Sequence, residues 1–459
     1  MTITSLSAAA VPVSSLPPRT VAAAANPAAG TTAAPVAPPM PSVIVTLSGA
    51  TTAPAPIIYS AQPYSPPPVW QDASMAITTA SGRPLTLTLQ ADGNFNIEGQ
   101  GGAPLSDAES VAVAKLAVAF KSALEGMASA PPRLDIAGLT QVDTKVLSSV
   151  HLSAKATDIN QAVQNIDFTA DATSRAVKID GPAGKLDVGV DLSSPAFTGS
   201  KAQQAAAIDN YLKQFDQAAS RGHANPALMA MFKDAFTQMS APAGTDTPNT
   251  TRPSSWLNDT DHALLSGLAD FSASITQTAT AANPYRADEH DGFSFQVSQT
   301  TQMSGRNASE RGISQTSSSQ LHASFHSALS PDAPLNLTVD PKSQNYYYSQ
   351  INDAAQSNVS IGYQKGRLVQ ATQSSTASQN TERSKFIMGQ KVEDVTTPLT
   401  RSQQRDLLPV LQQMERHPPQ TTKERDERTR ELAQIHDSLG LQADPVALGW
   451  PSLASRRDV

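Results

Sequence analysis

The residues best suited to chemistry are few and scattered. Asp288-Glu289-His290-Asp291 is the densest run, with three carboxylates around one imidazole, an arrangement that suits metal binding or proton transfer. His322 and His326 stand four apart, which puts two imidazoles on one face of a helix or of a strand. On a strand, four residues span about 13 Å, too far for one ion to be held directly by both rings. Leu321, Ala323 and Phe325 alternate around them, so a strand is expected, with both histidines on its wet face. Asp259, Asp261 and His262 fall at an expected helix start, where unpaired amides and the macrodipole favour carboxylates and make capping the expected role.

Other groupings carry less. Gly99, Gly101 and Gly102 follow a hairpin and lack the strand-to-helix setting of a nucleotide loop. Met229, Met231 and Met239 fit either an adaptable partner groove or core filling. The run Tyr346-Tyr347-Tyr348 either turns a ring outward for carbohydrate or protein contact or serves sheet packing. No GxSxG elbow, HExxH helix, GxxxxGK[ST] loop or EF-hand pattern occurs. The sequence therefore assigns no catalytic, cofactor-binding or metal-ligating residue, and no cofactor.

Composition narrows the classes further. With no cysteine in 459 residues, disulfide frameworks, thiolate zinc sites, iron–sulfur clusters and cysteine nucleophiles are excluded together. A thiol-free chain suits an oxidising destination or export as an unfolded polypeptide, and equally a cytosolic protein. The formal net charge of -7 is spread thinly, without the clustered Lys and Arg that phosphate neutralisation needs, so no nucleic-acid partner is expected. The most apolar stretch, Val111 to Phe120, is interrupted by Lys115 and is far short of a membrane span, so no transmembrane segment is expected. The N-terminus lacks a basic cluster, and Pro12, Pro17 and Pro18 interrupt its apolar run, which argues against a Sec-type signal peptide.

The elements that must position these residues follow from periodicity. Residues 1–71 hold 14 of the 34 prolines, 16 alanines and a single charged side chain, Arg19; a disordered, partly polyproline-like tail is expected, with Val43–Leu47 or Ile57–Tyr59 as a candidate edge strand. Leu85, Leu87 and Leu89 alternate with polar residues up to Asp92-Gly93-Asn94, and Phe95 and Ile97 resume, which predicts a hairpin. Ser106 with Glu109 forms a capping box ahead of a helix over about 107–128. Alternation over Ile166–Ala172, Val177–Ile179 and Leu186–Leu192 predicts an antiparallel meander. Helices follow at about 200–220 and 226–239, the second with Asn225 as N-cap and Pro226 at its first position.

A short helix is expected near Asp261. Strand-like runs come next at Phe271–Ile275, Phe293–Val297, Leu321–Phe325, Leu335–Val339, Tyr346–Tyr348 and Val359–Tyr363. The Ser/Gln-rich segments 298–320 and 370–384 fit long polar strands or disordered loops equally. Between Glu382 and Glu431 there are 10 basic and 9 acidic side chains, and helices are expected from about Asp406 and over about 422–439. The fold class expected is α+β: antiparallel β-meanders with packed helices, a disordered Pro/Ala-rich tail and a C-terminal helical hairpin. The expected divisions are a tail over 1–71, an α+β domain over 72–240 and a linker over 241–256. A mainly β domain over 257–400 and a charged helical hairpin and tail over 401–459 complete the chain.

The first 70 or so residues, small, Ser/Pro/Ala-rich and free of acids, resemble the uncleaved export signals of bacterial type III and flagellar secretion substrates. That resemblance implies export, and the reading expected is a non-enzymatic exported or envelope-associated protein that works through protein partners, with the polar β region and the charged C-terminal helices as candidate surfaces. The alternatives are an intracellular scaffold or regulator, with the tail as a tether, and a metal-dependent hydrolase built on Asp288–Asp291.

Overall fold

The computed structural model describes residues 69–448, apart from 91–93, 100–104, 158–161, 195–196, 243–256 and 333. The expected tail up to residue 68, most of the expected linker and the chain after 448 lie outside the described residues. The turn at Asp92-Gly93 and two of the three clustered glycines lie outside them as well.

Short alternating runs joined by tight turns can only pair with their neighbours, and that is what organises the molecule. Three strands come first, β1 (Val69–Thr79), β2 (Pro84–Leu89) and β3 (Phe95–Gly99). After helices α1 (Asp107–Met127) and α2 (Ala137–Thr140) come β4 (Leu147–Thr157), β5 (Val163–Asp171), β6 (Ser174–Gly181) and β7 (Gly184–Asp191). Helices α3 (Lys201–Gly222), α4 (Pro226–Ser240) and α5 (Asp259–Leu264) precede β8 (Asp270–Gln277) and β9 (Gly292–Ser304). The longest strands are last: β10 (Gly312–Ala328), β11 (Tyr346–Gln364), β12 (Arg367–Ile387) and β13 (Gln390–Asp406). Helices α6 (Leu408–Arg416), α7 (Thr422–Asp437) and α8 (Pro445–Leu448) end the described chain.

Among the described residues, thirteen strands form one sheet, in the order β13-β12-β11-β10-β9-β8-β7-β6-β5-β4-β1-β2-β3. From β4 to β13 each strand pairs antiparallel with its successor, an unbroken ten-strand meander. β7 and β8 flank α3, α4 and the undescribed 243–256, yet are hydrogen-bonded to each other from Gly184↔Gln277 to Asp191↔Asp270. The protein is α+β, with a far larger sheet than two separate meanders would make.

The helices lie on one face of the sheet. Phe215 of α3 and Phe232 and Phe236 of α4 are fully buried, and Phe215 and Phe236 meet Phe295 and Phe271 edge-on at ring separations of 5.7 and 5.0 Å. Each such ring contributes about 2 kcal/mol or more by leaving water. The Ser106–Glu109 capping box and the Asn225 cap open α1 and α4 as the sequence predicts, and a second capping box, Ser200–Gln203, opens α3. Met229, Met231 and Met239 are buried in this core.

Towards β10–β12 the same face turns polar without becoming wet. Gln315, Ser317, Ser357, Gln373 and Ser375 are all buried there. They bond one another and α3: Tyr211 donates to Ser317 Oγ at 3.1 Å, and Gln373 Nε2 to Ser357 Oγ at 3.1 Å. The Ser/Gln-rich segments are therefore strands, apart from the connection at 305–311, and their side chains satisfy each other across the ladder.

One expected strand does not form. Leu335, Leu337 and Val339 lie in a loop ahead of a 3-10 turn at Pro341–Ser343, with Val339 71% exposed. Asp340 accepts from the Lys342 amide and Thr338 donates to Ser343, local bonds that replace a ladder between Pro334 and Pro341. Strands β1, β4 and β13 are formed by segments whose alternation is too weak or too charged to stand out alone. β13 carries the chain to Asp406, so α6 opens at Leu408, with Pro409 in its first turn.

Candidate functional site

The densest run of the sequence does form a cluster, but only half of it takes part. It sits in the loop between β8 and β9, where Asp288 and His290 are exposed while Glu289 is buried and Asp291 half-buried. Two successive turns, closed by the Arg286 amide donating to the Asn283 carbonyl and the Glu289 amide to the Arg286 carbonyl, both at 3.1 Å, set Glu289 inward. Ser324 Oγ and Tyr348 Oη both donate to the His290 carbonyl, at 2.6 and 3.1 Å, and pin the loop over the end of the sheet.

The inward pair meets His326. The expectation that both histidines of β10 face water holds for His322, which is exposed, and fails for His326, whose side chain is fully buried. The cause is tertiary: the β8–β9 loop folds across the face of the sheet opposite α3 and covers this end of the strand. His326 Nε2 lies 2.9 Å from Glu289 Oε2, and Nδ1 lies 2.6 Å from Asp291 Oδ1. The His326 amide also donates to Asp291 Oδ1 at 3.0 Å.

The tyrosines complete the cluster. Tyr346 is fully buried and donates to Glu289 Oε2 at 2.7 Å, while Asn283 Nδ2 donates to Tyr346 Oη at 3.1 Å and to Gln344 Oε1 at 2.7 Å. Tyr348 stands opposite His326 in the ladder, with ring centroids 4.8 Å apart. Phe386 of β12 stacks on Tyr346 at 4.8 Å, and the Arg286 guanidinium lies 4.4 Å over Phe386. Arg286 Nη2 also donates to the Gly389 carbonyl at the tip of the β12–β13 hairpin, at 3.1 Å.

Only an imidazolium donates from both ring nitrogens, so this geometry calls for a charged His326. Burial opposes that charge, but the hydrogen bonds to Asp291 and Glu289 and the charge of the two carboxylates outweigh it and raise the His326 pKa above its ordinary value. Burial raises Tyr346 too, and its bond to the ionised Glu289 adds to this. Both imidazole nitrogens are thus committed inside the protein. The cluster ties the β8–β9 loop, β10, β11 and the β12–β13 tip together, and leaves no ring nitrogen to take a proton from a substrate. Among the described residues, no group of three or more His, Asp or Glu is disposed to hold a metal ion.

Asp261 caps α5 as expected, accepting the Asn258 amide at 3.0 Å, and also does what its sequence position does not show. It is fully buried against Arg311, whose Nε and Nη2 donate to Oδ2 at 3.1 and 2.6 Å. Tyr363 donates to Oδ1 at 3.0 Å, and its ring lies 3.5 Å beneath the Arg311 guanidinium. The residues that complete this knot are 50 and 102 positions away in sequence, so no local signal marks it.

A cavity of about 310 Å³ lies between α3, β10, β11 and the chain after α7, lined by Asn210, Tyr211, Ser317, Ser357 and His436 among others. Burial pushes Tyr211 up to about 12, so its hydroxyl stays protonated and donates. The chain after α7 closes over this region, with Gln373 Nε2 donating to the Leu439 carbonyl at 3.0 Å and Arg405 Nη1 to the Ser438 carbonyl at 2.9 Å.

Among the described residues, the last strand is an edge of the sheet. β13 is 17 residues long, pairs with β12 along one side, and is the end strand of the sheet. Every residue from Gln390 to Pro398 is exposed, including Val392 at 55% and Val395 at 40%. Among the described residues, no helix is long and apolar enough to cross a membrane. The chain matches no protein-family model, no curated protein and no solved structure.

Proposed function

We propose that this chain is a non-enzymatic protein, exported or held at the cell envelope, that works through protein–protein contacts made by strand β13. The observation that carries this reading is the open edge of β13, 17 residues long, with exposed apolar and charged side chains along it. Such an edge presents a row of backbone donors and acceptors and is a template for another strand. The His326 cluster supports the reading from the other side, because its bonds hold the β8–β9 loop, from which Arg286 donates to the Gly389 carbonyl at the β12–β13 hairpin tip.

Export is the part that rests on the N-terminal composition. In cells carrying a C-terminally tagged protein, the full chain is expected in the supernatant or envelope fraction, and a variant lacking residues 2–70 is expected to stay inside. Retention of both inside the cell overturns export and leaves an internal scaffold. For the contact surface, a photo-reactive amino acid at Val395 is expected to give discrete adducts in cells, and the same group at exposed Val118 of α1 is not. Adducts at Val118 alone overturn the assignment of β13.

A further inference from the structure

The two ends of the sheet are unlike. β3 offers five residues at its edge, whereas β13 offers seventeen, about 58 Å of extended chain. Natural edges of that length are normally shortened, bulged or covered. Here β13 bulges once, at Val392, where Glu393 pairs with Lys385 but Lys391 with Phe386; its only residue without an amide donor is Pro398, so each copy loses at most one rung of a further ladder there.

What covers this edge is written in its charge pattern. A strand meeting its own copy around a two-fold axis normal to the sheet pairs antiparallel, and residues directly opposite share a face. With Thr397 on the axis, Glu393 lies opposite Arg401 of the partner subunit, and Val395 lies opposite Leu399 of the partner subunit. The symmetry makes each contact twice. Moving the axis one residue either way breaks the ion pair: with Thr396 on the axis Glu393 faces Leu399, and with Pro398 on it Glu393 faces Gln403 and Val395 faces Arg401. Moving it to Leu399 keeps one ion pair, Glu393 with Arg405, but puts Val395 opposite Gln403. Glu393 and Arg401 are both exposed, and neither has an ion-pair partner of its own among the described residues.

We propose that β13 pairs with β13 of a second copy of this chain, antiparallel about Thr397, and joins two sheets into one continuous sheet. This names the partner for the contact surface proposed above and rests on that reading.

The chain has no cysteine, so single cysteines report cleanly. In the full-length protein, Thr397→Cys on the axis is expected to give a covalent dimer with a short bis-maleimide. Thr400→Cys lies about 20 Å from its own copy in this register and is expected to stay monomeric. By sedimentation, Glu393→Arg and Arg401→Glu are each expected to weaken the dimer by about tenfold or more, and the double variant E393R/R401E to restore it. A protein that sediments as a monomer at every concentration overturns the proposal. So does a dimer that is indifferent to both charge reversals and that the Thr397→Cys variant fails to crosslink. If the protein is monomeric while Val395 still forms adducts with another protein in cells, the second copy is excluded and the contact reading stands. If both fail, both fall.

Discussion

His326 Nδ1 lies 2.6 Å from Asp291 Oδ1, while its other ring nitrogen lies 2.9 Å from Glu289 Oε2, so one buried imidazole is held between two carboxylates from the β8–β9 loop. Removing the ring leaves two buried or half-buried acids facing each other with no cation between them. His326→Ala is therefore expected to cost about 3 kcal/mol or more. The shift in the urea midpoint, followed by circular dichroism, measures it. An unchanged midpoint would show that the carboxylates are not held by the ring.

The same cluster sets a pH dependence of definite sign. A histidine whose folded pKa is raised adds stability that is complete below its unfolded value, near 6.5, and is lost as pH climbs through the folded value. His223 has the opposite sign: burial lowers its pKa, so it costs stability as pH falls below its unfolded value, partly offset by the charge of Asp291. Urea midpoints between pH 6 and 9 are expected to fall on the alkaline side in the wild type. In His326→Gln that fall is expected to be much reduced, and in His223→Gln to remain.

Arg311 and Asp261 are a second buried pair, 6% and 0% exposed at the side chain. Arg311→Met alone strands a buried carboxylate that still accepts from Tyr363, and is expected to cost about 3–5 kcal/mol. The double variant Arg311→Met with Asp261→Leu removes both charges and is expected to recover most of that loss. A double-mutant cycle by thermal unfolding decides, and additive losses would show that the pair is not coupled.

Gly184 opens β7 with φ of +143°, and a Cβ there would come within 2.8 Å of Gln277 Cα on β8. The β8 backbone at Thr276 and Gln277 cannot yield, so Gly184→Ala is expected to lower stability by about 2–3 kcal/mol. Gly82 also has positive φ, at +82°, but meets nothing within 4 Å, and Gly82→Ala is expected to cost about 1 kcal/mol. Equal costs for the two would refute the crowding at β8.

Legibility in this chain follows locality. Ser106 with Glu109, Ser200 with Gln203 and Asn225 with Pro226 are caps made within four residues, and all three open helices where the spacing predicts. The 166–192 meander is legible for the same reason, because Ile166, Phe168, Val177, Ile179, Leu186 and Val188 put one apolar face on adjoining strands. The strand at 390–406 is not, because its apolar residues are sparse and its pairing with β12 alone makes it extended. Leu335–Val339 misleads in the opposite way, showing alternation without a neighbour to pair with.

The sequence by itself determined the antiparallel α+β class, the starts of α1, α3 and α4, and the absence of thiol chemistry. These depend on residue type and on contacts a few positions apart. Only the tertiary structure decided that ten successive strands extend one sheet, that His326 is buried and charged, and that β13 is left as its edge. Burial and charge pairing there depend on residues 35 to 57 positions apart, brought together when the β8–β9 loop closes over the sheet. No local pattern encodes such a meeting, because the free energy that favours it exists only once both surfaces have left water.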